Sequence, residues 1–550
     1  MEIEHLPPVT IERIGDCHWF VDFGKAVFGT VEIAPSSTLP GKHRIHLGEK
    51  LESPLRIDRH PAGSVRYAAI DVTAESDGCR LRVPIPPDPR NTGPRAIRMP
   101  PHIGEVMPFR YCEIEKYANL GFDDIRQVFV HAPFDDAAAT FASSDPLLNE
   151  IWELCRHTIK ATTFCGLYVD GDRERIPYEG DAYINQLSHF CLDADYRMAH
   201  ATLEYLLFHP TWPTDWHLHV PMIAWDLLLH SGDDRIVREH YDLIKLKTLG
   251  DLADPSGLIA AENLAHQPRL REALGFDGFF GSHELKDLID WPQSGFLSPE
   301  LPGETDGYVI GRQNTAVNAL HYRALADMSR IAAYLGKTGD AEALSRQAER
   351  VARAVNSLCF DPDLGIYRDG PGVNHGAQHA NFFPLMAGLV PAPRVASVTD
   401  HIVSRGMACS VYGAQHMLDA LYRARRPRPA LALMTSQGKR SWWHMIQELG
   451  STMTLEAWDA EYKPNLDWNH AWGTAPLNII VRRLLGVRPS APGFRRAIVD
   501  PQPGPLEWAR ARVPTPHGPI EIEVTGGESP QIVHWSFPPG IELEENEFGL

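Results

Sequence analysis

A chain of 550 residues is longer than one compact core sustains, so two to four folding units are expected. Lys plus Arg number 52 against 71 for Asp plus Glu, and the formal net charge of −19 sets the whole-molecule field against a polyanion, which argues against nucleic acid as a partner. No apolar run reaches the roughly 18 residues of a membrane-spanning helix, so no membrane partner is expected, and Met1-Glu2-Ile3-Glu4-His5 has neither region of a signal peptide, so the cytoplasm is the expected address.

From residue 1 to about 140 the chain breaks into short alternating runs. Residues 17–33 alternate around Trp19, Val21 and Phe23 and again at Val27 and Val31, and shorter runs follow at 80–85 and 109–114. Pro and Gly punctuate the intervals, as at 35–41 and 84–94. The pattern predicts an N-terminal β-sandwich over 1–140. At Ser144-Asp145-Pro146 an N-cap followed by proline opens a helix with Leu147, Leu148, Ile151, Trp152, Cys155 and Ile159 on one face.

Helical spacing recurs at 181–208, 219–231, 233–249, 314–335, 341–358, 392–404, 413–426 and 477–485. Asp340 is the expected cap of the second helix of a hairpin that turns at 337–340. Long connections rich in Trp, His and Asp lie between, at 210–219, 285–308, 374–383 and 458–474, and long loops in a compact domain are commonly functional. About a dozen helices in hairpins suit an all-α (α/α)6 barrel over 141–486. Past Gly486 prolines and the alternation Ile520, Ile522, Val524 predict a small C-terminal β-domain over 487–550, with the acidic stretch 542–548 as a solvated tail or the rim of the last strand.

The eight cysteines stand singly with no CxxC pair, which argues against a disulfide framework and a thiolate zinc site. The motifs of nucleotide, dinucleotide, α/β-hydrolase and zincin sites are missing. His217-Leu218-His219 could ligate a metal but has no third ligand nearby, so neither metal nor cofactor is expected. His375, His379 and His416 could line a sugar pocket or satisfy backbone groups at loop ends.

Paired carboxylates are the stronger signal. Hydrolysis of a glycosidic bond needs one protonated acid at the leaving oxygen and a second carboxylate to activate water or attack carbon. The stretch 168–181 sets Asp170, Asp172, Glu174, Glu179 and Asp181 among Arg173, Arg175, Tyr168 and Tyr178. A like-charge cluster raises some of its own pKa values while the arginines lower them, so spacing alone leaves the proton holder open. A distant second acid, Glu456, lies in the polar and aromatic run Ser451-Thr452-Met453-Thr454-Leu455-Glu456-Ala457-Trp458-Asp459, followed by Asn469-His470-Ala471-Trp472-Gly473-Thr474. Its alternative role is to cap or salt-bridge a helix.

The string DGDRERIPYEGDAYINQ resembles the catalytic signature of the bacterial α-L-rhamnosidases of glycoside hydrolase family 78. STMTLEAWD with NHAWGTAP and LLGVRPSAPGF is similar to that family's second signature. The likeness spans roughly 105–500. The resemblance implies an (α/α)6 barrel flanked by β-domains, a carbohydrate substrate, and exo-acting, inverting release of terminal α-L-rhamnose without cofactor. It places the general acid on Glu174 and the general base on Glu456. Asp170, Arg175, Glu179 and Asp181 would hold sugar hydroxyls or tune the acid, Tyr178 and Trp458 would contact the ring, and Asp290, Trp291 and His470 would complete the pocket. Tyr178 stands where the family usually has Trp, so another deoxy-hexose, a uronoside or a glucoside stays open as substrate, as does sugar binding without catalysis. A homodimer is compatible with the sequence, which does not decide it.

Overall fold

The computed structural model describes residues 1–34, 42–73, 79–275, 284–527 and 530–544; the turn expected at 35–41 and most of the acidic stretch 542–548 fall outside them. Two compact units emerge, one built from Met1–Phe134, Glu153–Ile176 and Trp443–Gly473 and the other from Asp135–Trp152, Pro177–Trp442 and Thr474–Leu550. No helix among the described residues is long and apolar enough to cross a membrane.

The first unit is organised on an eight-stranded sheet in the order Glu2–Leu6, Ile125–His131, His18–Ile33, Met107–Glu115, Lys42–Gly48 and Tyr67–Thr73, with Thr10–Gly15 and Leu81–Arg82 also paired to His18–Ile33. His18–Ile33 is long enough to serve several neighbours because a register shift between Asp22 and Val27 re-aims it. Val21, Phe23 and Val31 face one apolar cluster. Ala26, Val27 and Phe28 face another, which also takes in Ala161, Phe164, Val169 and Met453. Phe28 and Phe164 stack with centroids 3.9 Å apart. This second cluster fixes, on a β-sheet, the two distant segments that carry the candidate acids.

The second unit is helical with β-structure from the chain's end. The spacing at 314–335 folds as Thr315–Tyr334, and Thr338–Leu358 returns beside it. The second helix begins before Asp340, so that residue lies in its first turn and is not its cap. The run 181–208 is two helices, Glu179–Phe190 and Arg197–Phe208. The connection expected over 374–383 contains the start of a further helix, His379–Ala387, whose internal Pro384 disguised it. Asp145 Oδ1 accepts the backbone N–H groups of Leu147 and Leu148, the predicted N-cap.

Six helices contact one another in sequence: Glu179–Phe190, His219–Ser231, Thr315–Tyr334, His379–Ala387, Val411–Arg423 and Ala475–Ile479, the last packing again on the first. Rings of Tyr183, His219, Phe383, Tyr412 and His416 meet at centroid distances of 4.9–6.2 Å. At the end of the chain Trp508–Val513, Ile520–Thr525 and Gln531–Ser536 form a sheet that Thr140–Ser143 joins as an edge strand. Ile520, Ile522 and Val524 point inward, as their alternation requires.

Candidate active site

In the first unit the acid-rich stretch is a closed loop. Asp170 N–H donates to Ile176 O at 3.1 Å, and Ile176 N–H donates to Asp170 Oδ1 at 2.9 Å, so residues 171–175 are held out as a tip. Gly171 sits at φ +116°, and a Cβ there would come within 2.7 Å of Asn469 O. Only glycine lets the backbone of the second motif approach this closely.

The tip sorts its charges by direction. Asp172 and Arg175 turn into the protein: Arg175 Nη2 donates to Asp172 Oδ1 at 2.9 Å and to Val106 O at 2.7 Å, and Nη1 reaches Glu105 at 2.5 Å. Arg66 Nε lies 3.1 Å from Asp172 Oδ2, and Asn91 Nδ2 donates to the Asp172 carbonyl at 3.0 Å. Arg173 and Glu174 remain more open, with Glu174 24 % exposed.

Glu456 is 1 % exposed and meets the tip from the second motif. Arg173 Nη1 donates to both its oxygens at 2.7 Å, Lys463 Nζ lies 3.0 Å from Oε2, and Asp467 N–H donates to Oε2 at 3.3 Å. Arg173 also reaches Glu174, Nε to Oε1, at 3.6 Å, so one guanidinium serves both candidate acids. Trp472 Nε1 donates to Glu456 O at 2.9 Å, fixing the backbone behind the carboxylate. Trp458 is fully buried, and His470 Nδ1 lies 3.2 Å from Asp467 Oδ1.

These surroundings push the acids apart. Burial by itself would raise the Glu456 pKa, but the charges of Arg173 and Lys463 overcome it and hold the carboxyl down at about 2. Asp170 is displaced well upward, by burial first and by the charge of Glu174 second, and its Oδ2 has no hydrogen-bond partner among the described residues. Arg173 and Lys463 thus favour the ionised form of Glu456, while burial disfavours the ionised form of Asp170. Glu456, Asp467 and His470 offer ligand atoms within 4.8 Å of one another, but two protein cations already lie on Glu456 and oppose a metal ion there.

The other named residues belong to the second unit. Glu179 is buried and accepts Thr211 N–H at 3.1 Å and the Thr211 hydroxyl; burial pushes its pKa up against those bonds. Gly180 lies against the Trp216 indole, which Tyr178 meets edge-on at 5.3 Å. Asp181 is also buried, and together with Asp215 and Asp290 it acts, after burial itself, to raise the Tyr412 pKa. Asp290, next to the half-buried Trp291, accepts His379 Nε2 at 2.7 Å, Ser410 N–H at 2.9 Å and the Ser410 hydroxyl. His217 and His219 are each bonded to a backbone carbonyl, Thr211 O at 2.7 Å and Asp215 O at 3.0 Å.

Asp170, Glu174, Arg175, Glu456, Trp458 and His470 therefore share one unit, and Tyr178, Glu179, Asp181, Asp290 and Trp291 share the other. Sequence reasoning missed Lys463, Asp467 and Asn469, although they lie in the irregular segment 458–474 that composition had marked. It also missed Glu49 and Arg66, which stand just beyond strands Lys42–Gly48 and Tyr67–Thr73 of the N-terminal sheet, where no local pattern marks them. Glu49 Oε1 accepts Asn469 Nδ2 at 3.0 Å, and Asn469 Oδ1 accepts Asp172 N–H at 2.8 Å.

The family model for the bacterial alpha-L-rhamnosidase 6 hairpin glycosidase domain matches residues 136–250 and 277–484, and that for the bacterial alpha-L-rhamnosidase C-terminal domain matches 486–540. An alpha-L-rhamnosidase of Alteromonas sp. (strain LOR) is 23% identical over 429 residues, covering 71% of this chain and 42% of that protein. The chain thus spans less than half the length of this curated relative. The alpha-L-rhamnosidase structure from Dictyoglumus thermophilum superposes with a TM-score of 0.75 at 20% identity, over 98% of this chain and 58% of that one. A rhamnosidase from Klebsiella oxytoca with rhamnose bound gives 0.63 at 14% identity, over 87% and 96%. With two family models matching in the order the motifs led us to expect, the chain belongs to the bacterial α-L-rhamnosidases of the six-hairpin glycosidase type.

Proposed function

We propose that the protein is an exo-acting, inverting α-L-rhamnosidase, with Glu174 as general acid and Glu456 as general base. The observation that carries this reading is the single Arg173 guanidinium set against both carboxyl groups, Nε 3.6 Å from Glu174 and Nη1 2.7 Å from Glu456. An inverting reaction would have the two carboxyl groups roughly 6.5–9.5 Å apart, so that a water fits between base and sugar. Glu174 is preferred to Asp170 as the donor because it stands at the open tip of the loop, whereas Asp170 is buried beneath it. The ring of contacts among six helices supports an (α/α)6 barrel.

In the reaction the glycosidic C–O bond breaks with its electron pair on the leaving oxygen, which takes the proton of Glu174. Water adds its oxygen to the anomeric carbon from the other face and yields its proton to Glu456. Its low pKa keeps Glu456 ionised and able to accept that proton at neutral pH.

The test is hydrolysis of an aryl α-L-rhamnoside followed by NMR, with a panel of other aryl glycosides alongside. β-L-Rhamnose as the first-formed product is expected, and Glu174→Gln and Glu456→Gln should each lower turnover by roughly 10²–10⁴-fold. First-formed α-rhamnose, near-wild-type turnover in both variants, or preference for another sugar would overturn the corresponding part of the assignment.

A further inference from the structure

The segment that carries Glu456 returns to its own first residue. Glu456 N–H donates to Asp467 O at 3.2 Å, and the chain between them turns through Lys463 N–H to Asp459 O at 3.3 Å and Leu466 N–H to Lys463 O at 3.0 Å. Its outer edge is fastened where Ser64 N–H donates to Leu466 O at 2.8 Å. Lys463 sits inside this turn with no exposed surface, and its ammonium is shared between Glu456 Oε2 and Asn465 Oδ1, the latter at 2.7 Å. A lysine buried to this degree is costly unless its charge is met, and the carboxylate meeting it here belongs to Glu456.

Arg173 is divided between two carboxyl groups, whereas Lys463 serves only Glu456 among them. The two oxygens of Glu456 are also unequal. Among the described residues Oε2 receives Arg173, Lys463 and the Asp467 N–H, while Oε1 receives Arg173 alone. A carboxylate offers about four acceptor sites, so Oε1 is the oxygen with capacity for a further donor.

We propose that Lys463 is a positioning residue for the hydrolytic base: it pins Oε2 of Glu456 from within the 456–467 turn, leaves Oε1 to receive the proton of the attacking water, and keeps the carboxylate paired while Arg173 also serves Glu174. This rests on the reading of Glu456 as the base. The charges acting on Glu456 are Arg173 from the acid loop and Lys463 and His470 from its own segment, and Glu174, Asp467 and Asp170 act in turn on Arg173. Of these, Lys463 is the cation whose removal leaves the acid loop untouched.

The experiment compares wild type with Lys463→Met, Lys463→Gln and Lys463→Arg. With an aryl α-L-rhamnoside, the Met and Gln variants should lose about 100-fold in kcat with little change in KM. The acid limb of their kcat/KM profiles should rise by roughly 1–3 pH units, the effect of losing an opposite charge at this range. Lys463→Arg, which keeps the charge, should hold the limb near that of wild type. Infrared titration of the carboxylate band that Glu456→Gln abolishes gives a second reading without turnover, and that band should protonate at higher pH in Lys463→Met and Lys463→Gln. A merely structural lysine would lower activity in step with the folded fraction and move neither limb nor band, which overturns the proposal. Wild-type inactivity on every glycoside would count against the rhamnosidase reading, while the infrared titration would still decide the part played by Lys463.

Discussion

Replacing Arg175 by Met tests whether the inward half of the acid loop is a frame or a sugar contact. Arg175 is 1 % exposed, and its guanidinium lies 5.3 Å from the Phe164 ring while donating to Asp172, Glu105 and Val106 O. Methionine fills much of the volume but leaves Asp172 with Arg66 as its remaining ion pair, removes the ion pair of Glu105, and strips a hydrogen bond from the Val106 carbonyl. Removing one member of a buried ion pair costs roughly 3–5 kcal/mol, since the other charge stays behind in a poor solvent. At about 2–4 °C per kcal/mol for a domain of 150–250 residues, the melting transition should fall by roughly 6–20 °C. Calorimetric or circular-dichroism melts of wild type, Arg175→Met and Arg175→Lys measure it, with Lys expected in between because it keeps the charge without the planar fork. If Arg175→Met melted within about 2 °C of wild type yet lost turnover, the guanidinium would be acting on substrate and the framing argument would fail.

Two further predictions concern the same unit. Gly171→Ala should destabilise by roughly 1–3 kcal/mol, because φ +116° is foreign to alanine and its Cβ would press on Asn469; an unchanged melting temperature in that variant would show that the two motifs do not meet so closely. Glu49 is buried, and burial pushes its pKa up to about 8 against the opposing bonds from Arg66 N–H and Asn469. The folded state therefore retains a proton that the unfolded chain gives up near 4.5, so this group's contribution is full below that pH and is lost as pH rises through about 8. Melts across pH 5–9 should show Glu49→Met losing less stability with rising pH than wild type, and parallel curves would contradict the assignment.

Much of the architecture was legible because the helices carry their burial pattern in consecutive residues. Val317, Leu320, Leu325, Met328 and Ile331 are all buried on Thr315–Tyr334, and a 3.6-residue period cannot place them together in any other element. Helix His379–Ala387 escaped notice for the complementary reason: it is buried on all sides, so it has no polar face to create a period, and it contains a proline. The sheet partnership of Thr140–Ser143 with Trp508–Val513 joins segments far apart in the chain, and no local pattern announces such a pairing.

By itself the sequence determined the spacing of the helical faces, the alternation of Ile520, Ile522 and Val524, and the two acid-bearing motifs. The tertiary structure decided what each acid is. Within five residues Asp172 is sealed into an ion pair, Asp170 is buried with its pKa raised, and Glu174 stays open, because Arg66, Asn91, Glu105 and Asn469 arrive from distant stretches to take particular oxygens and N–H groups. The low pKa of Glu456 likewise depends on a lysine seven residues on and an arginine from the other motif. The charge state of a buried carboxyl is set by desolvation and by opposing charges within a few ångströms, and those distances exist only once the chain has folded.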